Sequence, residues 1–305
     1  MDATPENRST CAVLAPLLYL TITVEQEGDD DRIHLHPGGQ GFWIARMIRV
    51  LGGEPTLIAP IGGEGGEVVS ALLPTWEIGL SAARGTFESP TQLHDRRSGD
   101  RDELVPMRIP QLDRHAADDL YALALEAGLK CDALVLTSAG HGILPDDAYA
   151  RLVHDVNAAG TPLFADMHGN ALNGVLDGGR LTVLKVSEDD LDEDGYTMGS
   201  EEQAAVAARE LGERGADTVV ISRAGEPAVA WVDGSLYRIT PPCLEVVDHH
   251  GAGDSMTAGM TVGHLLGLSG LDMVRLGAAA GAGNVIRHGL GSGRAELIIE
   301  LSDLV

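Results

Sequence analysis

HHGAGDSMTAGM, residues 249–260, sets one acid directly behind two glycines, at the point where a helical pattern begins. Gly251 and Gly253 carry no side chain, so their backbone N–H groups can approach a ligand closely. The first N–H groups of a helix lack partners and the helix start carries roughly half a positive charge. Such a turn holds anions, and a carboxylate placed inside it competes with the anion it would bind. The arrangement gains sense when a phosphoryl group moves to a hydroxyl. Asp254 then accepts the hydroxyl proton, while the N–H groups of Gly251, Ala252 and Gly253 hold the moving charge. A Gly-Ala-Gly turn before a helix is also a common purely structural device, and the stretch alone does not separate the two.

The rest of the 305-residue chain narrows the choice. Its 44% hydrophobic content supplies a substantial core, and its length suits one large α/β domain or two small ones. With 46 acids against 21 bases the net charge is −25. That surface repels nucleic acid and anionic membranes, so neither is expected as a partner, although a well-solvated acidic face with no role gives the same count. The apolar run at 11–24 is too short to span a bilayer as a helix, and MDATPENRST before it lacks the basic start of a secretion signal. Its β-branched tail reads as a buried strand. Cys11, Cys131 and Cys243 are far apart and odd in number, which points to a reducing cytosol without disulfides.

Strand-like runs at 55–61, 132–138, 162–166, 181–186 and 217–222 alternate with helical runs at 38–53, 66–73, 145–158 and 201–214. In the first helical run Ile44, Met47, Ile48 and Leu51 recur at helical spacing. Buried strands separated by helices predict a doubly wound, mostly parallel α/β sheet covered on both faces. Residues 31–37 and 90–109 break the pattern with alternating polar and apolar positions and turn signals, and they suit a small antiparallel β lid. Two long helical runs, 254–268 and 270–287, are rich in Gly and Ala, which permits close packing.

GGQGFWIARMIRVLG (38–52), LKVSEDDL (184–191), VVISRAGEPAVAWV (219–232), GAGDSMTAG (251–259) and AAGAGNVIRHG (279–289) follow one another in a fixed order. In that order the chain resembles the ribokinase/PfkB family of carbohydrate kinases, nearest its 1-phosphofructokinase-like branch, over about residues 12–300. The resemblance implies a single ribokinase-like domain over 1–305 with a discontinuous lid from about 17–37 and 86–109. It implies ATP at the carboxyl ends of the strands, Mg²⁺, a small-molecule hydroxyl acceptor under the lid and a homodimer formed through the lid. A monovalent cation is a further cofactor compatible with it. Asp254 matches the family's base, and Gly251, Ala252 and Gly253 match its anion hole. Lys185, Ser187 and Asp190 stand where the family has Lys, Asn and Glu of a Lys-Pro-Asn-x-x-Glu segment. Lys185 is thereby a nucleotide-phosphate contact, though a solvated strand-end lysine fits the same position. Ser187 and Asp190 keep oxygens able to hold Mg²⁺ through water. Ser222, Arg223 and Gly225 fall on the family's nucleotide turn, where Ala224 and Pro227 replace glycines. Asn284 matches an adenine-side contact, or packs between helices.

The acceptor side departs from the family. Tyr19, Gly38, Gly39, Gln40, Trp43 and Gln92 occupy its acceptor-binding positions. Ala15 and Tyr19 replace an Asn and an Asp, Gln40 replaces a phosphate-binding Lys, Trp43 replaces an Asn, and Pro90 stands near an expected Arg. Tyr19, Phe42 and Trp43 form an aromatic group for stacking on a ring, unless they merely fill core space. His249 and His250 replace small residues and face either a ligand or solvent. With both family cations lost, the expectation is an ATP-dependent kinase of a sugar or sugar-like acceptor without a phosphate. Arg96 and Arg97 on the lid are the residues able to restore phosphate binding. A nucleoside kinase and a catalytically silent ligand-binding relative are the competing readings.

Overall fold

The computed structural model describes residues 9–99, 101–138, 143–145 and 147–305. The first eight residues, position 100 of the second lid segment and position 146 of the 145–158 run lie outside the described residues. The first half of the chain holds β1 (Thr10–Leu14), β2 (Tyr19–Glu27), β3 (Asp30–Gly38), α1 (Gln40–Val50), β4 (Glu54–Ile61), α2 (Gly63–Leu72) and β5 (Gly79–Arg84). There follow β6 (Thr91–Asp95), β7 (Asp102–Val105), α3 (Arg114–Gly128), β8 (Ala133–Thr137), α4 (Ala148–Ala159), β9 (Leu163–Asp166) and α5 (Gly169–Gly178). The remainder is β10 (Leu181–Ser187), α6 (Glu188–Glu193), α7 (Glu201–Gly215), β11 (Ala216–Arg223), β12 (Glu226–Val232) and β13 (Ser235–Ile239). Three helices end it, α8 (Ala252–Leu265), α9 (Gly270–Val285) and α10 (Ala295–Ser302).

The main sheet has nine strands in the order β13-β12-β11-β10-β9-β8-β1-β4-β5. Seven run parallel, and β12 and β13 close one edge as antiparallel additions. Side chains alternate across the central strands. Val13, Val135 and Val183 meet Ile44, Met47 and Ile48 of α1 and the helices α8 and α9 on one face. Leu14, Leu136 and Leu184 meet Leu120 of α3, Leu152 of α4 and Leu211 of α7 on the other. The doubly wound sheet expected from the alternating runs is therefore present. The Gly and Ala content of α8 and α9 has its expected use, because a Cβ at Gly259 would stand 2.8 Å from the Cα of Gly277.

The apolar run 11–24 is not one strand. Ala15 still donates its N–H to the Ile58 carbonyl at 2.8 Å. Pro16 then offers no donor, the main-sheet ladder stops, and the chain leaves as β2 into a second sheet ordered β3-β2-β6-β7. This second sheet is the expected lid, and it is mixed, since β2 and β6 run parallel. Its register lines up Tyr19, Thr21, Thr23 and Glu25 of β2 with His36 and His34 of β3 and with Gln92 and His94 of β6. One lid face is consequently polar. Apolar Ile33 and Leu35 of β3 at one edge, and Leu104 and Val105 of β7 at the other, remain exposed. Among the described residues no helix is long and apolar enough to cross a membrane.

Candidate active site

Gly251 is the N-cap of α8 with φ 73°, a left-handed conformation that glycine adopts without strain, and it places Ala252, Gly253 and Asp254 in the first helical turn. β9 and β10 end beside this turn with Asp166 and Lys185 paired across the two strands. Lys185 Nζ lies 3.3 Å from Asp166 Oδ1, and both side chains are buried. The Asp166 carboxylate also accepts from the Thr257 hydroxyl at 2.7 Å. A Cβ at Gly253 would stand 2.5 Å from Lys185 Nζ, so the lysine head rests against the glycine backbone. Burial pushes the Asp254 carboxyl up to about 7, and the like charge of Asp166 adds to the rise. Lys185 and a hydrogen bond from the Gln40 amide oppose it. Burial pulls Lys185 down, but Asp166, Asp254 and Asp190 outweigh that and hold its pKa above the usual lysine value. The result is a half-buried acid poised near neutrality, the tuning a general base requires. Asp166, absent from the residues singled out in the sequence, is the largest omission. Its signal was the acid ending an apolar run at 162–166.

A cavity of about 810 Å³ opens on one side of this turn, lined by Lys185, Ser187, Glu188 and Asp189, by Ser222 to Ala228, and by Ala252, Gly253, Gly281 and Ala282. Ser222 and Arg223 at the end of β11 and Gly225 in the turn to β12 are thus brought to one cavity. Ala224 adopts φ 46°, which explains why a glycine suits the position. Arg223 does not extend toward a ligand, because its Nε donates to Glu188 Oε2 at 3.1 Å. Ser187 caps α6 by accepting from the Asp190 N–H, and its hydroxyl donates to the Asp190 carboxylate. Ser187, Glu188 and Asp189 line this wall with oxygens of the hard type that Mg²⁺ prefers, while Asp190, bonded to Ser187, does not line the cavity. Asn284 does not line the cavity. It is 1% exposed, donates to the His250 carbonyl at 2.7 Å and accepts from the Ser292 N–H, so it ties two loops together. His249 lines the cavity, and its ring stacks on that of His250, which pairs with Asp248 at 2.7 Å.

A second cavity of about 410 Å³ lies between the lid's polar face, α1 and the loop at 288–290. Thr23, Glu25, His34, His36, Trp43, Arg46, Trp76, Arg96, Arg101, Asp248 and His288 line it. Tyr19 feels the charges of both Arg101 and Asp254, and the Gln40 amide hydrogen-bonds Asp254. The Tyr19 ring covers Gly38, and burial raises its hydroxyl pKa. Gly39 is the N-cap of α1 with φ 115°. Gln92 lies beside His94, 3.2 Å from its Nε2, within the lid sheet. Phe42 belongs to the core and not to the site, being 0% exposed and packed edge-on against Trp43 and Trp76. Pro90 is buried and its carbonyl accepts from the Leu20 N–H.

The expected loss of positive charge at the acceptor side is not what the cavity contains. Arg96 lines it, as one of the two lid arginines anticipated, whereas Arg97 is bound to Asp95 and Asp31 elsewhere on the lid. Arg46 and Arg101 add two cations from positions the sequence did not single out. Arg46 follows Gln40 by almost two helical turns, a spacing visible only once α1 is placed against the lid.

The model of the pfkB family of carbohydrate kinases matches residues 17–296. The ATP-dependent 6-phosphofructokinase isozyme 2 of Mycobacterium tuberculosis (strain ATCC 25618 / H37Rv) is 32% identical over 265 residues, covering 83% of this chain and 75% of the relative. The 1-phosphofructokinase of Bacillus subtilis (strain 168) is 26% identical, covering 84% of each chain. Among solved structures, phosphofructokinase-2 from Escherichia coli in complex with potassium superposes with a TM-score of 0.85 at 23% identity, over 97% of this chain and 99% of that one. The chain belongs to the pfkB family of carbohydrate kinases, in its phosphofructokinase-like branch, and is a phosphotransferase acting on a hydroxyl group.

Proposed function

We propose that the chain transfers the γ-phosphate of ATP to a hydroxyl of a sugar phosphate, with Asp254 as the base. The observation that carries this reading is the position of Asp254, half-buried in the first turn of α8 beside Lys185 and Gln40, with its pKa near 7. ATP occupies the larger cavity, its phosphates toward Lys185 and the N–H groups of Gly251, Ala252 and Gly253. Mg²⁺, where bound, is held through water by Asp190 and Ser187 and offsets the charge of the phosphates. The acceptor lies under the lid against Tyr19, Gly38, Gly39, Gln40 and Trp43, and Asp254 takes the proton of its attacking hydroxyl.

A phosphorylated acceptor is preferred over the neutral one expected from the sequence. Three arginines line the lid cavity of a strongly acidic protein, and relatives are named as phosphofructokinases. The exposed apolar residues Ile33, Leu35, Leu104 and Val105 on the lid support a homodimer formed there. Three free cysteines support a reducing compartment. A silent relative has no use for a carboxylate tuned to neutrality at a helix start. The test is turnover with ATP and Mg²⁺ across fructose 6-phosphate, fructose 1-phosphate, tagatose 6-phosphate, unphosphorylated sugars and nucleosides. A nucleoside as the best acceptor, or no turnover with any member, overturns the reading.

A further inference from the structure

Where the protein holds uncompensated positive charge is unusual for its composition. The chain carries 46 acids and 21 bases, yet around the lid cavity Arg46, Arg96 and Arg101 outnumber the carboxylates of Glu25 and Asp248. Arg96 is already engaged by Glu25 at 3.7 Å. Arg46 and Arg101 are not. Arg46 donates to the Leu290 carbonyl at 2.6 Å and lies over the Trp76 ring at 4.3 Å. Arg101 donates to His94 Nε2 at 3.1 Å. Neither has a carboxylate partner among the described residues. Burial, with the nearby charge of Arg287, pulls the Arg46 guanidinium down to about 10, the direction expected of a cation waiting for an anion.

We propose that Arg46 and Arg101 form the subsite for the acceptor's phosphate, displaced from the positions of Gln40 and Pro90, and set the preference for a phosphorylated over a neutral sugar. This rests on the functional reading above. Arg46 is fixed by its carbonyl and by Trp76, so it presents its remaining N–H groups with little entropy left to lose. Arg101 sits on the lid, so it reaches the same anion only when the lid covers the acceptor. Gln40, which touches Asp254, and Arg46 are six residues apart on α1, about 9 Å along its axis. That separation places the phosphate at the far end of a sugar whose reacting hydroxyl lies at Asp254. The freed Gln40 position then serves the base and not the phosphate, since its amide donates to the Asp254 carboxylate.

The test compares wild type with Arg46→Met and Arg101→Met, using fructose 6-phosphate and fructose as probes. A charge-assisted hydrogen bond lost from each variant predicts that the ratio of kcat/KM for fructose 6-phosphate to that for fructose falls at least ~10-fold. The loss resides in KM, with kcat changed less than about threefold. Arg46→Lys, which keeps charge but not the planar fork, falls between. Arg101 is exposed, so its variant remains informative should Arg46→Met fold poorly. Calorimetric binding of the two probes to the full chain gives the same comparison without turnover. Tighter binding of fructose 6-phosphate that depends on both arginines, without phosphorylation, would sink the functional reading and leave the subsite standing. An unchanged ratio in Arg101→Met or in folded Arg46→Met, or equal affinity of wild type for the two probes, overturns the subsite.

Discussion

Lys185 Nζ stands 3.3 Å from Asp166 Oδ1 while also resting against the backbone of Gly253, one residue before Asp254. One cation is therefore shared between a buried acid, Asp166, and a half-buried one, Asp254. The surplus negative charge is borne by Asp254, whose proton is held to about 7. Replacing Asp254 with Asn removes the proposed proton acceptor and keeps the shape. Turnover should fall at least ~100-fold, the scale of a lost general base, with nucleotide affinity nearly unchanged. A variant that keeps most of its kcat removes Asp254 from the mechanism.

The same cluster makes stability depend on pH. The folded pKa of Asp254 lies above the carboxylate range of an unfolded chain, so the folded protein binds more protons between about 4 and 7. Its contribution is present at low pH and lost as pH rises through about 7. Asp254→Asn should thus raise the melting temperature more at pH 8.5 than at pH 5.5. Equal shifts at the two pH values would show that Asp254 is ionised throughout.

Asp166→Asn is expected to move the chemistry rather than abolish it. Removing Asp166 deletes a like charge beside Asp254 and frees Lys185 to serve Asp254 alone. Both changes lower the Asp254 pKa, so the acid limb of kcat/KM against pH should shift to lower pH by about one unit or more. The fold should also lose stability, since a buried ion pair broken on one side leaves its partner uncompensated. A profile that stays in place would mean that Asp166 does not sense the proton on Asp254.

Much of this architecture was legible in the sequence because the signals are local. Ile44, Met47 and Ile48 at helical spacing gave α1, and Gly251 to Asp254 gave the start of α8. The failures share a different origin. Pro16 splitting one apolar run between two sheets, Phe42 turning into the core and Asn284 tying loops all depend on what a residue meets across the fold. The arginines around the lid cavity show this most clearly. Counting lost cations at Gln40 and Pro90 gave a neutral acceptor, because nothing local tells that Arg46 and Arg101 converge on one cavity. Charge is read from sequence as composition, whereas binding depends on where the fold collects it.

The turn between β11 and β12 offers a last test, of strain rather than charge. Ala224 stands at φ 46°, where its Cβ crowds the neighbouring carbonyl, and such a conformation costs on the order of 1 kcal/mol for a residue other than glycine. The hairpin holds it there because Arg223 and Glu226 are paired in register and Arg223 is bound to Glu188 beneath. Ala224→Gly relieves the strain but returns part of the gain as extra freedom in the unfolded chain. The net effect should be an increase in melting temperature of about 1–2 °C, following the scaling for a domain of this size. Ala224 lines the larger cavity with Ser222 and Gly225, so the substitution also removes a methyl group from the path proposed for the nucleotide. The KM for MgATP should fall or stay level, and the KM for the acceptor should not change. A lower melting temperature together with a raised KM for MgATP would mean that Ala224 makes contacts worth more than its strain, and that the turn is shaped for the nucleotide by alanine itself.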